Sequence, residues 1–271
     1  MAAGIDLYKS FQMAKIQSKT IVFITGAYVN HACWDDWRTW FESKGYKTLA
    51  PSWPHKEGNA ATLRSRQPDR DLAAVTLPDI INHHLSIIQQ LPEKPILIGH
   101  SFGGMLAQVL LNKGVGDACV AIHSIPPQGV LPYEINFLRS NAATLGFFTN
   151  LNKTYLMPFK KWQFAFTNGL PLDEQQRSYD QLVIPESKRA ARGALTSAAK
   201  VDFAKEHQPL LILAGSRDQC IPASLNRRTY NRYKGRPSVV DFVLKDRTHY
   251  VLGLPTWKED AAYILDWLQQ H

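Results

Sequence analysis

Hydrophobic residues in this chain fall into short unbroken runs separated by segments of helical spacing. Thr20-Ile21-Val22-Phe23-Ile24, Pro95-Ile96-Leu97-Ile98-Gly99, Ala118-Cys119-Val120-Ala121-Ile122-His123, Pro209-Leu210-Leu211-Ile212-Leu213-Ala214 and Val239-Val240-Asp241-Phe242-Val243-Leu244 are largely continuous rather than alternating. That is the pattern of strands covered on both faces. Strands are predicted near residues 20–25, 46–50, 95–99, 118–123, 209–214 and 238–244, and helices near 34–44, 77–91, 102–113, 222–234 and 257–270. Strands alternating with helices through short connections imply right-handed crossovers. The fold class is therefore α/β, with a doubly wound, mostly parallel sheet.

One long interruption breaks the alternation. Between Ile125-Pro126-Pro127 and Gln208-Pro209 the chain shows helical patterns and no strong strand, and it carries Phe137, Phe147, Phe148, Tyr155, Phe159, Trp162, Phe164 and Phe166. Residues 125–207 are predicted to form a helical lid (cap) inserted into a core made of residues 1–124 and 208–271. Most of these aromatics are assigned to the lid's own core and its seam with the sheet. A few, together with Tyr28 and Phe102, are assigned to an apolar pocket.

Candidate chemistry sits where the predicted strands end. The run Ile96-Leu97-Ile98-Gly99-His100-Ser101-Phe102-Gly103-Gly104 stops at a serine with glycine two residues before and two after, and Met105 to Leu111 then forms a helix. A sharp strand-to-helix turn of this kind puts the serine at positive φ and raises its hydroxyl above the sheet edge. The N–H of Phe102 falls at a helix N-terminus, where partial positive charge collects. Gly-x-Ser-x-Gly alone often marks only a tight turn, so its partners decide the matter. Asp218 follows the strand 209–214 and His249 follows the strand 238–244. Ser101, Asp218 and His249 thus appear in the order nucleophile, acid, base, each beyond the C-terminal end of a strand, where open α/β sheets place their active sites. Asp241 and Asp246 are read as surface groups. His100 and His123 are read as packing histidines bonded to backbone, and His31 as a residue of the substrate pocket with Tyr28.

These residues resemble those of the α/β-hydrolases, in particular the small capped serine hydrolases related to plant methyl-ketone and salicylate esterases and hydroxynitrile lyases. The likeness covers nearly the whole chain. It implies that the loop after the first strand, Thr25-Gly26-Ala27-Tyr28, supplies the second oxyanion donor, which carries that role onto the N–H of Ala27 beside that of Phe102. Thr25 stands where relatives usually have histidine and is expected to supply a local hydrogen bond. The residues before the first strand are too few for the full antiparallel hairpin of many relatives, so a reduced sheet is expected. Tyr250 stands where hydroxynitrile lyases carry lysine, which argues against cyanohydrin cleavage, and a serine at the elbow argues against epoxide hydrolases and haloalkane dehalogenases, which use aspartate there. The resemblance implies a carboxylesterase acting on a small or medium hydrophobic ester through an acyl-enzyme. Alternatives with the same residues are hydrolysis of an amide, thioester or carbon–carbon bond, or a non-catalytic ligand receptor on the same fold.

Composition narrows the partners. The chain has 271 residues, 45% of them hydrophobic, enough for one core with an insertion. No apolar stretch approaches 18 residues and no charged start precedes an apolar run, so neither a membrane span nor a signal peptide is predicted and the protein is read as cytoplasmic. Cys33, Cys119 and Cys220 are odd in number and scattered, which fits reduced thiols. The net charge of +8 raises nucleic acid as a partner. Lys188, Arg189 and Arg192 raise it as well, but the group Arg227, Arg228, Arg232, Lys234 and Arg236 falls on a predicted helix as a solvated face, and no nucleic-acid motif accompanies it. No metal-ligand cluster, Gly-x-Gly-x-x-Gly loop or phosphate loop is present, so no cofactor is expected and the partner is a small ester-like molecule.

Overall fold

All six strands lie parallel in one sheet in a computed structural model of the protein, which describes residues 15–235 and 238–271. They are β1 (Thr20–Ile24), β2 (Lys47–Leu49), β3 (Ile96–His100), β4 (Ala118–Ile122), β5 (Leu210–Gly215) and β6 (Val240–Lys245), in the spatial order β2-β1-β3-β4-β5-β6. Burial on both faces explains the unbroken apolar runs of β1, β3, β4 and β5, whereas β6, expected to be covered likewise, lies at the edge of the sheet and is only half-buried. Val22, Ile24, Leu97, Ala121 and Ile212 join one buried cluster. Ile21, Phe23, Ile98, Val120 and Leu213 join another. The alternation of side chains along each strand thus feeds two separate cores.

The helices are α1 (Asp35–Glu42), α2 (Ala60–Ser65), α3 (Arg70–Ala74), α4 (Leu77–Ile88), α5 (Phe102–Asn112), α6 (Ile135–Leu145), α7 (Phe159–Ala165), α8 (Leu172–Leu182), α9 (Lys188–Gly193), α10 (Ala223–Tyr233) and α11 (Trp257–Gln270). Trp37 and Phe41 of α1 and Ile264 and Trp267 of α11 pack on one face. Ile80 and Ile81 of α4, Met105 and Leu106 of α5 and Leu225 of α10 pack on the other. Helices α2 and α3 escape the periodicity reading because they are too short to repeat a pattern. Their side-chain caps are nevertheless present: Asn59 accepts from the Thr62 N–H and Asp69 from the Leu72 N–H.

The segment between β4 and β5 supplies α6 to α9. It is tied to the loops that leave the sheet. The Asn30 N–H donates to the Leu182 carbonyl (2.9 Å) and the Ile184 N–H to the Tyr28 carbonyl (2.8 Å). On the other side the Ser140 hydroxyl donates to the Gln219 carbonyl (3.0 Å). Among the described residues no strand precedes β1. Residues 1–14, to which the expected lack of an amino-terminal hairpin applies, lie outside them, as does Arg236.

From β1 the chain runs to β2 at one edge, whereas from β3 it runs to β4 on the other side. The crevice at the carboxyl ends of β1 and β3 is therefore the topological switch point of the sheet. Backbones crowd there. A Cβ on Gly99 would collide with the Gly103 carbonyl, and one on Gly103 with the Ile24 carbonyl. Gly99→Ala should therefore lower unfolding free energy by about 3 kcal/mol or more, a backbone clash that side-chain repacking does not relieve. Urea unfolding at neutral pH measures it, and a loss under about 1 kcal/mol would show that the turn can relax.

Candidate active site

β3 delivers Ser101 in a strained conformation, φ 59° and ψ −120°, immediately before α5. Its surroundings fix that strain. The Ser101 N–H donates to the Ile122 carbonyl (2.9 Å), while its carbonyl accepts from Gly104 (3.0 Å) and Ile125 (3.1 Å). Phe102 is the first helical residue, so its N–H has no partner within the helix and points from the positive end of the dipole. The loop leaving β1 packs on this turn: a Cβ on Gly26 would stand 2.8 Å from the His100 carbonyl and 3.0 Å from the Ser101 Cβ. Ala27 is thereby brought beside the serine, and Ala27, Ser101 and Phe102 border one cavity.

The carboxylate and imidazole arrive from the neighbouring strand ends. His249 Nε2 lies 3.0 Å from Ser101 Oγ, and His249 Nδ1 lies 2.7 Å from Asp218 Oδ2. Asp218 Oδ1 accepts from the N–H groups of Cys220 (2.8 Å) and Ile221 (2.7 Å). Burial works to raise the Asp218 carboxyl, but His249, by its charge and its hydrogen bond, and the nearby His123 outweigh it and hold the group well below the usual carboxylate range. The imidazole of His249 is enclosed: Phe166 meets it edge-on at 4.5 Å between centroids, and the His100 Nε2–H donates to the His249 carbonyl (2.9 Å). Burial, then the neighbouring rings of His249 and His123, push His100 well below its ordinary value, so it stays neutral.

Sequence and structure can be matched residue by residue. Ser101, Asp218 and His249 are brought into one hydrogen-bonded chain. Asp246 instead pairs with Arg217 at 2.9 Å, and Asp241 accepts from the Trp267 indole at 2.7 Å. His100 makes the expected backbone bond. His123 does not: at φ 45° on the end of β4, its Nδ1 lies 2.9 Å from Asp218 Oδ2, off the line of a well-formed N–H···O bond. His123, Asp218 and His249 are also the described group whose atoms could hold a metal ion. Both Nδ1 atoms face the same carboxylate oxygen, His123 at 2.9 Å and His249 at 2.7 Å.

The cavity beside Ser101 encloses about 330 Å³, and its wall is mostly apolar, with Ile125, Val130, Leu145 and Ala194 from the inserted segment. Of the aromatics, Tyr28, Phe102 and Phe137 line it. His31 does not belong to this wall. It sits in a small cleft behind the β1 exit loop with Thr25, Ser52, Trp53 and Lys56, because the turn at Tyr28 (φ 70°) carries the chain away from the serine. The expected hydrogen bond of Thr25 is also corrected: its buried hydroxyl has no partner among the described residues, and the loop is held instead by the Trp53 indole donating to the Thr25 carbonyl (3.1 Å). Three contributors carried no legible signal, namely His123, Phe166 and Glu186. The last is an inserted-segment acid that accepts from the Tyr28 N–H. Each acts on a group of a residue distant in the chain, the Asp218 carboxylate, the His249 ring or the Tyr28 N–H, so spacing along the chain does not mark it.

Comparison with known proteins bears on the fold and the family. Among solved structures, an extracellular α/β-hydrolase from a Paenibacillus species, described as sharing structural and functional homology with tobacco salicylic acid binding protein 2, is 21% identical with a TM-score of 0.67, covering 91% of this chain and 98% of its own. A monoacylglycerol lipase from Paleococcus ferrophilus is 19% identical, with a TM-score of 0.68 and coverage of 93% and 94%. The methylesterase MES16 from Arabidopsis is 18% identical, with a TM-score of 0.65 and coverage of 93% and 99%. These likenesses establish a shared fold. No curated protein sequence matches the chain. The family model described as the alpha/beta hydrolase family does match, over residues 21–261, and the chain belongs to that family.

Proposed function

We propose that the protein is a serine hydrolase that cleaves the carboxylic ester of a small or medium hydrophobic molecule through an acyl-enzyme. The observation that carries this reading is the unbroken contact from Ser101 Oγ to His249 Nε2 (3.0 Å) and from His249 Nδ1 to Asp218 Oδ2 (2.7 Å). A serine hydroxyl is a weak nucleophile until an adjacent base takes its proton. His249 takes that proton as Oγ attacks the ester carbonyl. Asp218 keeps its tautomer fixed and stabilises the imidazolium. The N–H groups of Ala27 and Phe102 donate to the tetrahedral oxyanion, each contributing about 3 kcal/mol. His249 then protonates the departing alcohol, and water repeats the sequence on the acyl-enzyme.

Residues 125–207 act on this reading as a lid whose apolar wall selects the substrate. The names of two of the similar structures, a monoacylglycerol lipase and a methylesterase, support ester chemistry. The basic residues support a small-molecule partner rather than nucleic acid, because they are engaged within the protein: Arg228 pairs with Glu134 at 2.7 Å, Arg232 donates to the Gly129 carbonyl, and Arg227 lies 3.6 Å from the Phe242 ring centroid. Cys33, Cys119 and Cys220 are free, in keeping with a cytoplasmic location. No helix among the described residues is long and apolar enough to cross a membrane.

Steady-state hydrolysis of p-nitrophenyl esters tests the reading. With p-nitrophenyl butyrate, Ser101→Ala should reduce kcat about a millionfold, and equal turnover by both proteins would overturn the proposal. Asp218→Asn should reduce kcat about 10⁴-fold by favouring the wrong imidazole tautomer. The same substitution reads the depressed Asp218 pKa as stability. A carboxylate held below its unfolded value contributes fully above that value, about 3.9, and loses the contribution as pH falls through the lower folded value. The stability gap between wild type and Asp218→Asn, measured by urea unfolding, should be full at pH 7 and close below about pH 4. Ala194→Trp, which fills the cavity wall, should move the acyl-chain optimum of a p-nitrophenyl series to shorter esters and leave acetate turnover near wild type.

A further inference from the structure

Glu186 joins the inserted segment to the loop that carries Ala27. Its side chain is 1% exposed. Oε1 accepts from the Ser187 N–H (2.8 Å), and Oε2 accepts from the Tyr28 N–H (2.9 Å) and lies 2.6 Å from Lys56 Nζ. Its backbone exchanges two 2.8 Å bonds with Tyr155, so the residue belongs firmly to the inserted segment. Its charge, by contrast, is spent on two groups of the core. Lys56 is equally buried and sits 3.8 Å from the Trp53 ring centroid, while the Trp53 indole holds the Thr25 carbonyl. Burial lowers the Lys56 pKa and the Glu186 carboxylate opposes that shift.

Two physical points set this arrangement apart from ordinary glue. A buried ion pair is seldom more stabilising than an apolar pair of the same volume, so stability alone does not account for it. What three converging donors do provide is a fixed direction for the acceptor. The N–H at which it aims belongs to Tyr28, held at φ 70° directly after Ala27. A bulky residue in the left-handed region is disfavoured and persists only where its surroundings hold it. The hydrogen-bonding groups of Tyr28 are all held by the inserted segment: N–H by Glu186, carbonyl by the Ile184 N–H (2.8 Å) and hydroxyl by Thr144 (2.6 Å).

We propose that Glu186 is a positioning residue for the oxyanion hole: by gripping the Tyr28 N–H it fixes the peptide plane after Ala27, so that the Ala27 donor is aimed only when the inserted segment is seated on the core. The inference rests on the serine-hydrolase reading. Seating of residues 182–187 and assembly of the oxyanion site become one event.

Two double variants separate aim from charge. Lys56→Met with Glu186→Gln removes both charges and keeps a carbonyl oxygen for the Tyr28 N–H. Lys56→Met with Glu186→Leu removes both charges and the acceptor. With p-nitrophenyl butyrate, the leucine variant should lose about tenfold to a hundredfold in kcat, with KM within about twofold of wild type. Its affinity for an alkyl trifluoromethyl ketone, which forms an oxyanion on the serine, should fall in parallel. The glutamine variant should stay within about threefold of wild type. Equal kcat in the two variants, or a loss confined to KM, overturns the inference. Should the leucine variant not fold, Glu186→Asp replaces it: the charge balance with Lys56 remains while the carboxylate withdraws by one methylene from the Tyr28 N–H. Wild-type kcat and ketone affinity in that variant overturn the inference, and loss of both supports it. Ser101→Ala keeps the two failures apart, since retained turnover there removes the serine-hydrolase reading itself, whereas lost turnover there with equal double variants removes only the role of Glu186.

Discussion

Where β1 and β3 end side by side, three stretches of backbone touch with no side chain between them. Gly99 lies under the Gly103 carbonyl, Gly103 under the Ile24 carbonyl, and Gly26 against the His100 carbonyl. This contact lets the β3–α5 turn close tightly enough to hold Ser101 at φ 59°. It also brings the loop with Ala27 next to the N-terminus of α5. The remaining parts are arranged around it: β5 and β6 extend the sheet on one side and present Asp218 and His249 at their ends, while residues between β4 and β5 line the cavity beside Ser101.

What could be read from the chain follows from how local each signal is. A parallel strand buried on both faces must be apolar throughout, so β1, β3, β4 and β5 stand out as runs. Their C-terminal ends then locate Ser101 and Asp218 without reference to tertiary contacts. The short helices α2 and α3 were missed because five or six residues do not complete a hydrophobic repeat. His31 was misplaced because a positive φ at Tyr28, which no pattern of polarity announces, redirects the loop. His123 was read as a packing residue, and it is packed, but against a carboxylate whose position depends on a strand nearly a hundred residues later.

The inserted segment makes contact with both loops that flank the serine. Residues 182–186 pair with the exit of β1 through Asn30, Tyr28 and the Glu186 carboxylate. Helix α6 fastens to the exit of β5, where Ser140 and Asn141 donate to the Gln219 and Cys220 carbonyls. Trp162 stacks on Phe166 at 4.3 Å, and Phe166 in turn walls off His249. The cavity wall and the order around it therefore come from the same residues: the segment that lines the cavity also holds the groups around it.

The carboxylate of Asp218 accepts three hydrogen bonds and meets a second histidine at 2.9 Å. Oδ1 holds two N–H groups of its own loop, and Oδ2 faces histidines from the ends of β4 and β6. Three adjacent strand ends are thereby fastened to one buried charge, and freeing any of them would strand that charge in an apolar interior. In the time domain, residues 218–221 are a loop by geometry and a piece of the core by motion. Their amide hydrogens at Cys220 and Ile221 reach solvent only when the sheet itself opens, so exchange there tracks global unfolding rather than local fraying.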